Sequence, residues 1–237
     1  MRLDKFIMNT LMVSRTDAKK IIKKKLVYIN EKLETSGDYN VLDSDVITYK
    51  DNETTRVLTY KENVYIMMNK PQGYVCATKD NVNKTVLDLI DDYDITKLSI
   101  VGRLDKDTEG LLLLTTDGAF LHRITSPKYE KEKTYYVECD GEFLDEDVDK
   151  FRNGIVIIDD DRKEYKCKSS ELKIIDSHSA LISIKEGKFH QIKKMCKAVD
   201  KTVVYLKRTK ISNLVLDEKL KLGDYRELTD EELELLK

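Results

Sequence analysis

Three acids and a guanidinium crowd into one nonapeptide. Gly102-Arg103-Leu104-Asp105-Lys106-Asp107-Thr108-Glu109-Gly110 runs straight into Leu111, Leu112, Leu113, Leu114 and Thr115. A carboxylate held firmly can serve as nucleophile or electrostatic stabiliser, and an arginine beside it stays charged throughout. The flanking glycines admit positive φ, so the polar stretch reads as a tight loop. The leucine run reads as a strand buried on both faces, although periodicity alone leaves a buried helix open. Such a junction fixes charged groups at the edge of a core, which suits a chemical site. On these residues alone the plainer reading, a connection whose charges are merely solvated, has the greater weight, because most charged loops are only that.

Further stretches change the balance. Asn69-Lys70-Pro71-Gln72-Gly73, Glu132-Lys133-Thr134-Tyr135-Tyr136-Val137 and Glu186-Gly187-Lys188-Phe189-His190-Gln191-Ile192-Lys193-Lys194-Met195 stand in order around the Gly102–Thr115 segment. Together with Asp117-Gly118 they resemble the RsuA-like family of RNA pseudouridine synthases over almost the whole chain. The resemblance implies that Asp105 is the catalytic carboxylate and that Tyr135 is the active-site tyrosine. It implies that Lys193 is the cation beside the aspartate, in a place where most relatives carry arginine. Arg103 is expected to bind substrate and hold the site open, and Lys194 to meet RNA. Asp107 and Glu109 are read as acceptors that fix the loop, Tyr136 as core packing, and His190 is left outside the catalytic set. The reaction implied moves uracil from a nitrogen to a carbon linkage on the same ribose, with neither cofactor nor metal. The Gly-Lys-Phe-His-Gln-Ile-Lys-Lys-Met segment is similar to the small-subunit branch, so the expected partner is small-subunit ribosomal RNA, alone or within an assembly intermediate. The alternatives are a large-subunit enzyme and a noncatalytic RNA-binding assembly factor. A carboxylate-pair glycoside hydrolase using Asp105 and Asp107 is disfavoured: two nearby acids of unknown separation say little, and the chain has no tryptophan.

These residues need elements to carry them. Leu3, Phe6, Ile7 and Leu11 repeat at helical spacing, and Ser14 with Asp17 marks a second helix start. Ala18, Ile21 and Ile22 give that helix an apolar side, while Arg15, Lys19 and Lys23 align at i, i+4 on another. Short strands are expected at Val27–Asn30, Val41–Leu42 and Val46–Tyr49. Two helices and a small sheet resemble an alpha-L (S-four-like) RNA-binding module, with Arg15, Lys19 and Lys23 as its RNA contacts. Lys25-Leu26 departs from that module, which has glycine at the helix end. The polar Asp51–Arg56 stretch reads as a linker or turn, so the expected domains are residues 1–60 and 61–237.

Beyond it, strands are expected at Val64–Met68, Lys133–Cys139, Gly154–Ile158, Lys163–Glu171, Leu172–Ile175 and Ala180–Lys185. Helices are expected at Thr85–Ile90, Gly118–Ile124 and Phe189–Val199. Strands outnumber helices without a regular βαβ rhythm, so the expected fold class is α+β with a largely antiparallel mixed sheet.

Bulk properties agree with a nucleic-acid partner only when distribution is weighed. Net charge is −2, yet residues 1–32 carry nine basic residues against three acidic ones. A second basic stretch, Lys185 to Lys210, is opposed only by Glu186 and Asp200. Acidic runs such as Asp145–Asp149, Asp159–Asp161 and Asp230–Glu234 offset both, which points to directed rather than nonspecific polyanion binding. The four cysteines and three histidines show no zinc-ligand spacing. Without an apolar run long enough to span a bilayer or act as a signal, a cytoplasmic monomer is expected.

Overall fold

The computed structural model describes residues 1–42, 44–52, 54–59, 63–159 and 161–237. The chain forms two compact units, Met1–Glu62 and Asn63–Lys237. The anticipated boundary at Tyr60 and Lys61 lies outside the described residues, as do Glu53 and Asp160 of the polar runs.

In the first unit, α1 (Leu3–Thr10) and α2 (Arg15–Lys23) precede β1 (Val27–Ile29), β2 (Lys32–Leu33), β3 (Ile47–Lys50) and β4 (Thr55–Leu58), in sheet order β2-β1-β3-β4. Leu3, Phe6, Ile7, Ala18 and Ile22 pack on Val27, Ile29 and Ile47, which is why the apolar residues recur at helical spacing. Ser14 caps α2, its hydroxyl accepting from the Asp17 N–H at 3.1 Å. Lys25 stands at φ +63°, the left-handed conformation that glycine would take there. Two expectations fail. Val41 and Leu42 are not in a strand; an isolated bridge at Asn40 to Arg2 replaces it. The segment read as a linker is a hairpin, since Thr55–Leu58 returns on β3. Its polar composition reflects a strand whose Thr55, Arg56 and Val57 are exposed.

The second unit is built on β5 (Tyr65–Lys70), β6 (Ser99–Val101), β7 (Glu109–Thr115), β8 (Lys133–Asp140), β9 (Val156–Ile158), β10 (Glu164–Lys166), β11 (Glu171–Ile174), β12 (Ser179–Ile184), β13 (Thr202–Ile211), β14 (Leu214–Val215) and β15 (Tyr225–Glu227). The helices are α3 (Gly118–Thr125), α4 (Asp145–Asn153), α5 (Gln191–Lys197) and α6 (Asp230–Glu234). The main sheet runs β11-β12-β8-β13-β7-β5-β15, with β6 on β7 and β14 on β13. Its described pairings are antiparallel except β13 with β7.

Strand β7 shows why the leucine run is continuous. Leu112 and Leu114 face one apolar cluster, while Leu111 and Leu113 face the other, and all four are wholly buried. Phe120 and Ile124 of α3 cover the second cluster; Ile192, Met195 and Cys196 of α5 belong to the first. Thr85–Ile90 is a short 3-10 turn, Val86–Leu89, opened by the Thr85 N–H donating to Asp88 Oδ2 at 2.7 Å. The Lys163–Glu171 strand is interrupted at Cys167–Ser170. Helix α4, whose sequence reads as an acidic surface run, buries Phe151 and pairs Asp147 with Lys201 at 2.7 Å. Tyr136 is not core: it is half-buried on the opposite sheet face, edge-on to Tyr205 and bonded to Glu138. No helix among the described residues is long and apolar enough to cross a membrane.

Candidate active site

The polar nonapeptide is a loop from Gly102 to Thr108, with Glu109 and Gly110 already in β7. Two buried cations hold its backbone. Lys70, at the end of β5, donates from Nζ to the carbonyls of Asp105 at 3.0 Å, Thr108 at 2.9 Å and Pro71 at 3.0 Å. Burial pushes its ammonium below the ordinary lysine range, and nearby groups including the Asp105, Asp107 and Glu109 carboxylates oppose that shift. Arg208 of β13 is 1% exposed, and donates from Nε to the Leu111 carbonyl at 2.8 Å and from a terminal nitrogen to the Gly102 carbonyl at 3.1 Å. The parallel pairing sets Arg208 opposite Gly110. Gly110 has φ +102°, and a Cβ there would lie 2.2 Å from the Arg208 carbonyl oxygen. That close approach explains the second glycine of the nonapeptide.

The Asp105 carboxylate, its side chain 25% exposed, projects into a cavity of about 440 Å³. Arg103, Lys133, Tyr135, Lys188, His190, Lys193 and Arg208 also line this cavity, and Asp105 is the lone carboxylate among its described lining residues. Lys193 Nζ lies 3.4 Å from Asp105 Oδ2 and 2.5 Å from Asp107 Oδ1. Burial works against ionising Asp107, but the Lys193 hydrogen bond and charge win and hold that carboxyl below its ordinary value. His190 Nε2 stands 3.6 Å from Asp105 Oδ1. Glu109 accepts from Tyr205 at 2.7 Å.

Lys193 comes from α5, and the loop before that helix is pinned from inside. Gln191, 3% exposed, donates to Glu186 at 2.6 Å and accepts from the Lys188 N–H at 2.8 Å. Tyr135 and Lys133 sit two residues apart on β8, so both side chains emerge on one sheet face. Burial, with Arg208 adding repulsion, draws the Lys133 ammonium down to about 8.

Asp105, Tyr135, Lys193 and Arg103 are thus gathered at one cavity. Lys194 is half-buried outside that lining, 5.6 Å from the Phe189 ring centroid. Arg15, Lys19 and Lys23 belong to the other unit, on α2. Arg15 pairs with the buried Asp4 at 3.0 Å, whereas Lys19 and Lys23 are exposed. The second basic stretch is only partly a surface. Lys201 is buried against Asp147 and Arg208 is buried behind the loop, because each satisfies groups inside the protein.

Sequence reasoning missed Lys70, Lys133 and Arg208, and left out His190. Lys70 and Lys133 stood inside the quoted motifs. Arg208 follows Val203, Val204, Tyr205 and Leu206, a β-branched and aromatic run that signals a strand.

Comparison with known proteins identifies the family of each unit. Residues 64–198 match the RNA pseudouridylate synthase family, and residues 1–47 match the S4 domain. The ribosomal small subunit pseudouridine synthase A of Vibrio cholerae is 38% identical, with 98% of each chain covered. An uncharacterised RNA pseudouridine synthase of Bacillus subtilis, YtzG, is 41% identical over 100% of this chain and 98% of that one. A crystal structure of a pseudouridylate synthase is similar at a TM-score of 0.70 and 39% identity, covering 100% of this chain and 99% of that one. With a family match over more than half its length and relatives aligned end to end, this chain belongs to the RNA pseudouridylate synthase family.

Proposed function

We propose that this protein isomerises a specific uridine of small-subunit ribosomal RNA to pseudouridine, with Asp105, Tyr135 and Lys193 as catalytic residues. The observation that carries the reading is the Asp105 carboxylate, alone among cations in the cavity and 3.4 Å from Lys193. Support for the substrate comes from relatives named as small-subunit enzymes in Vibrio cholerae, Haemophilus influenzae and Escherichia coli.

The reaction balances within one nucleotide. The bond from ribose C1′ to uracil N1 breaks, C1′ joins uracil C5, the C5 proton is lost to solvent or a base, and N1 takes up a proton, so the product is an isomer of the substrate. Asp105 meets the positive charge that develops at C1′, and the Lys193 ammonium stabilises the ionised carboxylate beside it. Tyr135, 8% exposed, offers the freed uracil a flat face and a hydroxyl. Arg103, exposed at the cavity, supplies a charge for the backbone phosphate. Flipping the uridine from its stack costs a few kcal/mol, which favours a loop over a regular duplex.

Residues 1–60 act as the RNA-binding module, with exposed Lys19 and Lys23 against phosphates. Arg15 contributes from its ion pair with Asp4, and Lys194 assists at the catalytic unit.

The test maps pseudouridine in small-subunit ribosomal RNA from cells with and without the protein, then restores wild type or Asp105→Asn. One site should vanish and return only with wild type. An unchanged map, or full rescue by the variant, would sink the proposal. Transcript alone and partly assembled particles are the two in vitro substrates. A noncatalytic assembly factor would instead work equally well as Asp105→Asn.

A further inference from the structure

Phe189 is the aromatic residue of the Glu186–Met195 segment that the reaction leaves unused, and it is exposed to solvent. The residue is 52% exposed, and its chain neighbours Lys188 and His190 line the cavity that holds Asp105. The ring is also ordered by its neighbour: the Phe189 and His190 rings stack with centroids 3.7 Å apart and planes 20° from parallel. His190 in turn places Nε2 3.6 Å from the Asp105 carboxylate. Phe189, His190 and Asp105 therefore form a continuous path from solvent to the reacting position.

The backbone is bent to produce this path. His190 has φ +53°, a left-handed conformation that costs a non-glycine residue on the order of 1 kcal/mol. The turn sends the two consecutive rings to one side and stacks them. A single exposed phenylalanine needs no explanation by itself. A phenyl stacked on a residue that lines the cavity and is itself held in a strained conformation has the character of a positioning device. Lys194 Nζ lies over the ring, 5.6 Å from its centroid, so a cation accompanies the phenyl.

Resting on the function proposed above, we propose that Phe189 is a stacking platform for an unpaired base of the RNA adjacent to the target uridine. Stacking there holds the strand open at the flipped nucleotide, and it is tolerant of base identity because every base has a π-face. The ring does not touch the reacting atoms, so Phe189 is a positioning residue.

The test uses a synthetic RNA stem-loop carrying the uridine found by mapping, together with two versions in which the nucleotide before or after it is abasic. Wild type, Phe189→Ala, Phe189→Leu and Phe189→Tyr are compared in the full chain by kcat/KM. On intact RNA the alanine and leucine variants should lose roughly 5- to 150-fold, the range covered by loss of one base–aromatic stack. On one abasic RNA wild type should fall to their level, and the substitutions should then change nothing further. Phe189→Tyr should keep the discrimination between intact and abasic RNA. An equal loss on the intact and both abasic RNAs would show a purely structural role and overturn the proposal. No loss in either non-aromatic variant would do the same. Turnover of intact RNA by wild type keeps the two readings apart: its absence removes the enzymatic assignment, whereas its presence without coupling removes only the platform.

Discussion

The Nζ of Lys70 donates to the main-chain carbonyl of Asp105 at 3.0 Å, so a wholly buried ammonium grips the backbone of the residue proposed as the catalytic carboxylate. The same nitrogen reaches Thr108 at 2.9 Å, and the Thr108 N–H itself donates to the Asp105 carbonyl at 3.1 Å. The turn is therefore closed from within, and its carboxylate is fixed by contacts that never touch substrate. Replacing Lys70 by methionine keeps the volume and removes the donors. The Asp105 carbonyl keeps the Thr108 N–H, while the Pro71 and Thr108 carbonyls lose the Lys70 donor. Unpaired buried carbonyls cost roughly 1–3 kcal/mol each, so the variant should lose about 2 kcal/mol or more. Hydrogen exchange should rise first at residues 102–108. A Lys70→Met protein with unaltered exchange there and undiminished kcat would contradict the assignment.

Lys193 is shared between two acids, and the closer one is not the candidate nucleophile: 2.5 Å to Asp107 against 3.4 Å to Asp105. Asp107 thus orients the ammonium that Asp105 uses. Charged hydrogen bonds of this kind are worth about 1.5–3 kcal/mol, so Lys193→Met should reduce single-turnover rate by roughly 10- to 150-fold. Asp107→Asn keeps an acceptor and should cost less than about 10-fold on the same scale. Pre-steady-state kinetics on a transcript measures both, and a reversed order would reassign the carboxylates.

Lys133 gives the site a pH signature. Burial and the Arg208 charge bring its value to about 8 from 10.5, so between those values the unfolded chain holds a proton that the folded chain has released. Stability rises with pH wherever the unfolded state binds more protons. The Lys133 contribution is therefore unfavourable below about pH 8 and is relieved progressively toward pH 10.5. Lys133→Met removes the effect along with the hydrogen bond to the Lys131 carbonyl. Its stability relative to wild type should be highest below pH 8 and decline through that window. Denaturant titrations at several pH values give the difference, and a flat difference would exclude a buried, perturbed ammonium.

The sequence was most readable where one residue type answers to one physical demand. Leu111–Leu114 had to be buried on both faces, Ser14 had to cap, and Gly110 marked a place without room for a side chain. Asp105, Tyr135 and Lys193 were legible only together, through ordered motifs, because an isolated acid, phenol or ammonium fits any surface. Arg208 and Lys201 were hidden by their own type. A cation in a basic run looks solvated, and only the partner brought in from β7 or α4 shows that it is inside. Strand β4 was hidden for the opposite reason: three of its four residues face water, so the apolar alternation that reveals a strand is missing.

Lys25 offers a test of the first unit that leaves the catalytic residues alone. It follows α2 with φ +63°, its N–H donating to the Ile22 carbonyl at 3.0 Å, and its side chain is exposed. A side chain in the left-handed region costs about 1–2 kcal/mol relative to glycine. Glycine in turn makes the unfolded chain more flexible, which takes back about 0.4–1 kcal/mol. The strain is the larger of the two, so Lys25→Gly should stabilise the Met1–Glu62 unit by roughly 0.5–1 kcal/mol. Hydrogen exchange of the β1 and β3 amides in the full chain measures that unit directly, and protection should increase there while β7 and β8 are unchanged. Removing one exposed charge should also weaken RNA binding slightly and lower its salt dependence by about one phosphate contact if Lys25 reaches the RNA. Reduced protection of β1 and β3 would mean that the lysine makes contacts worth more than the strain it bears.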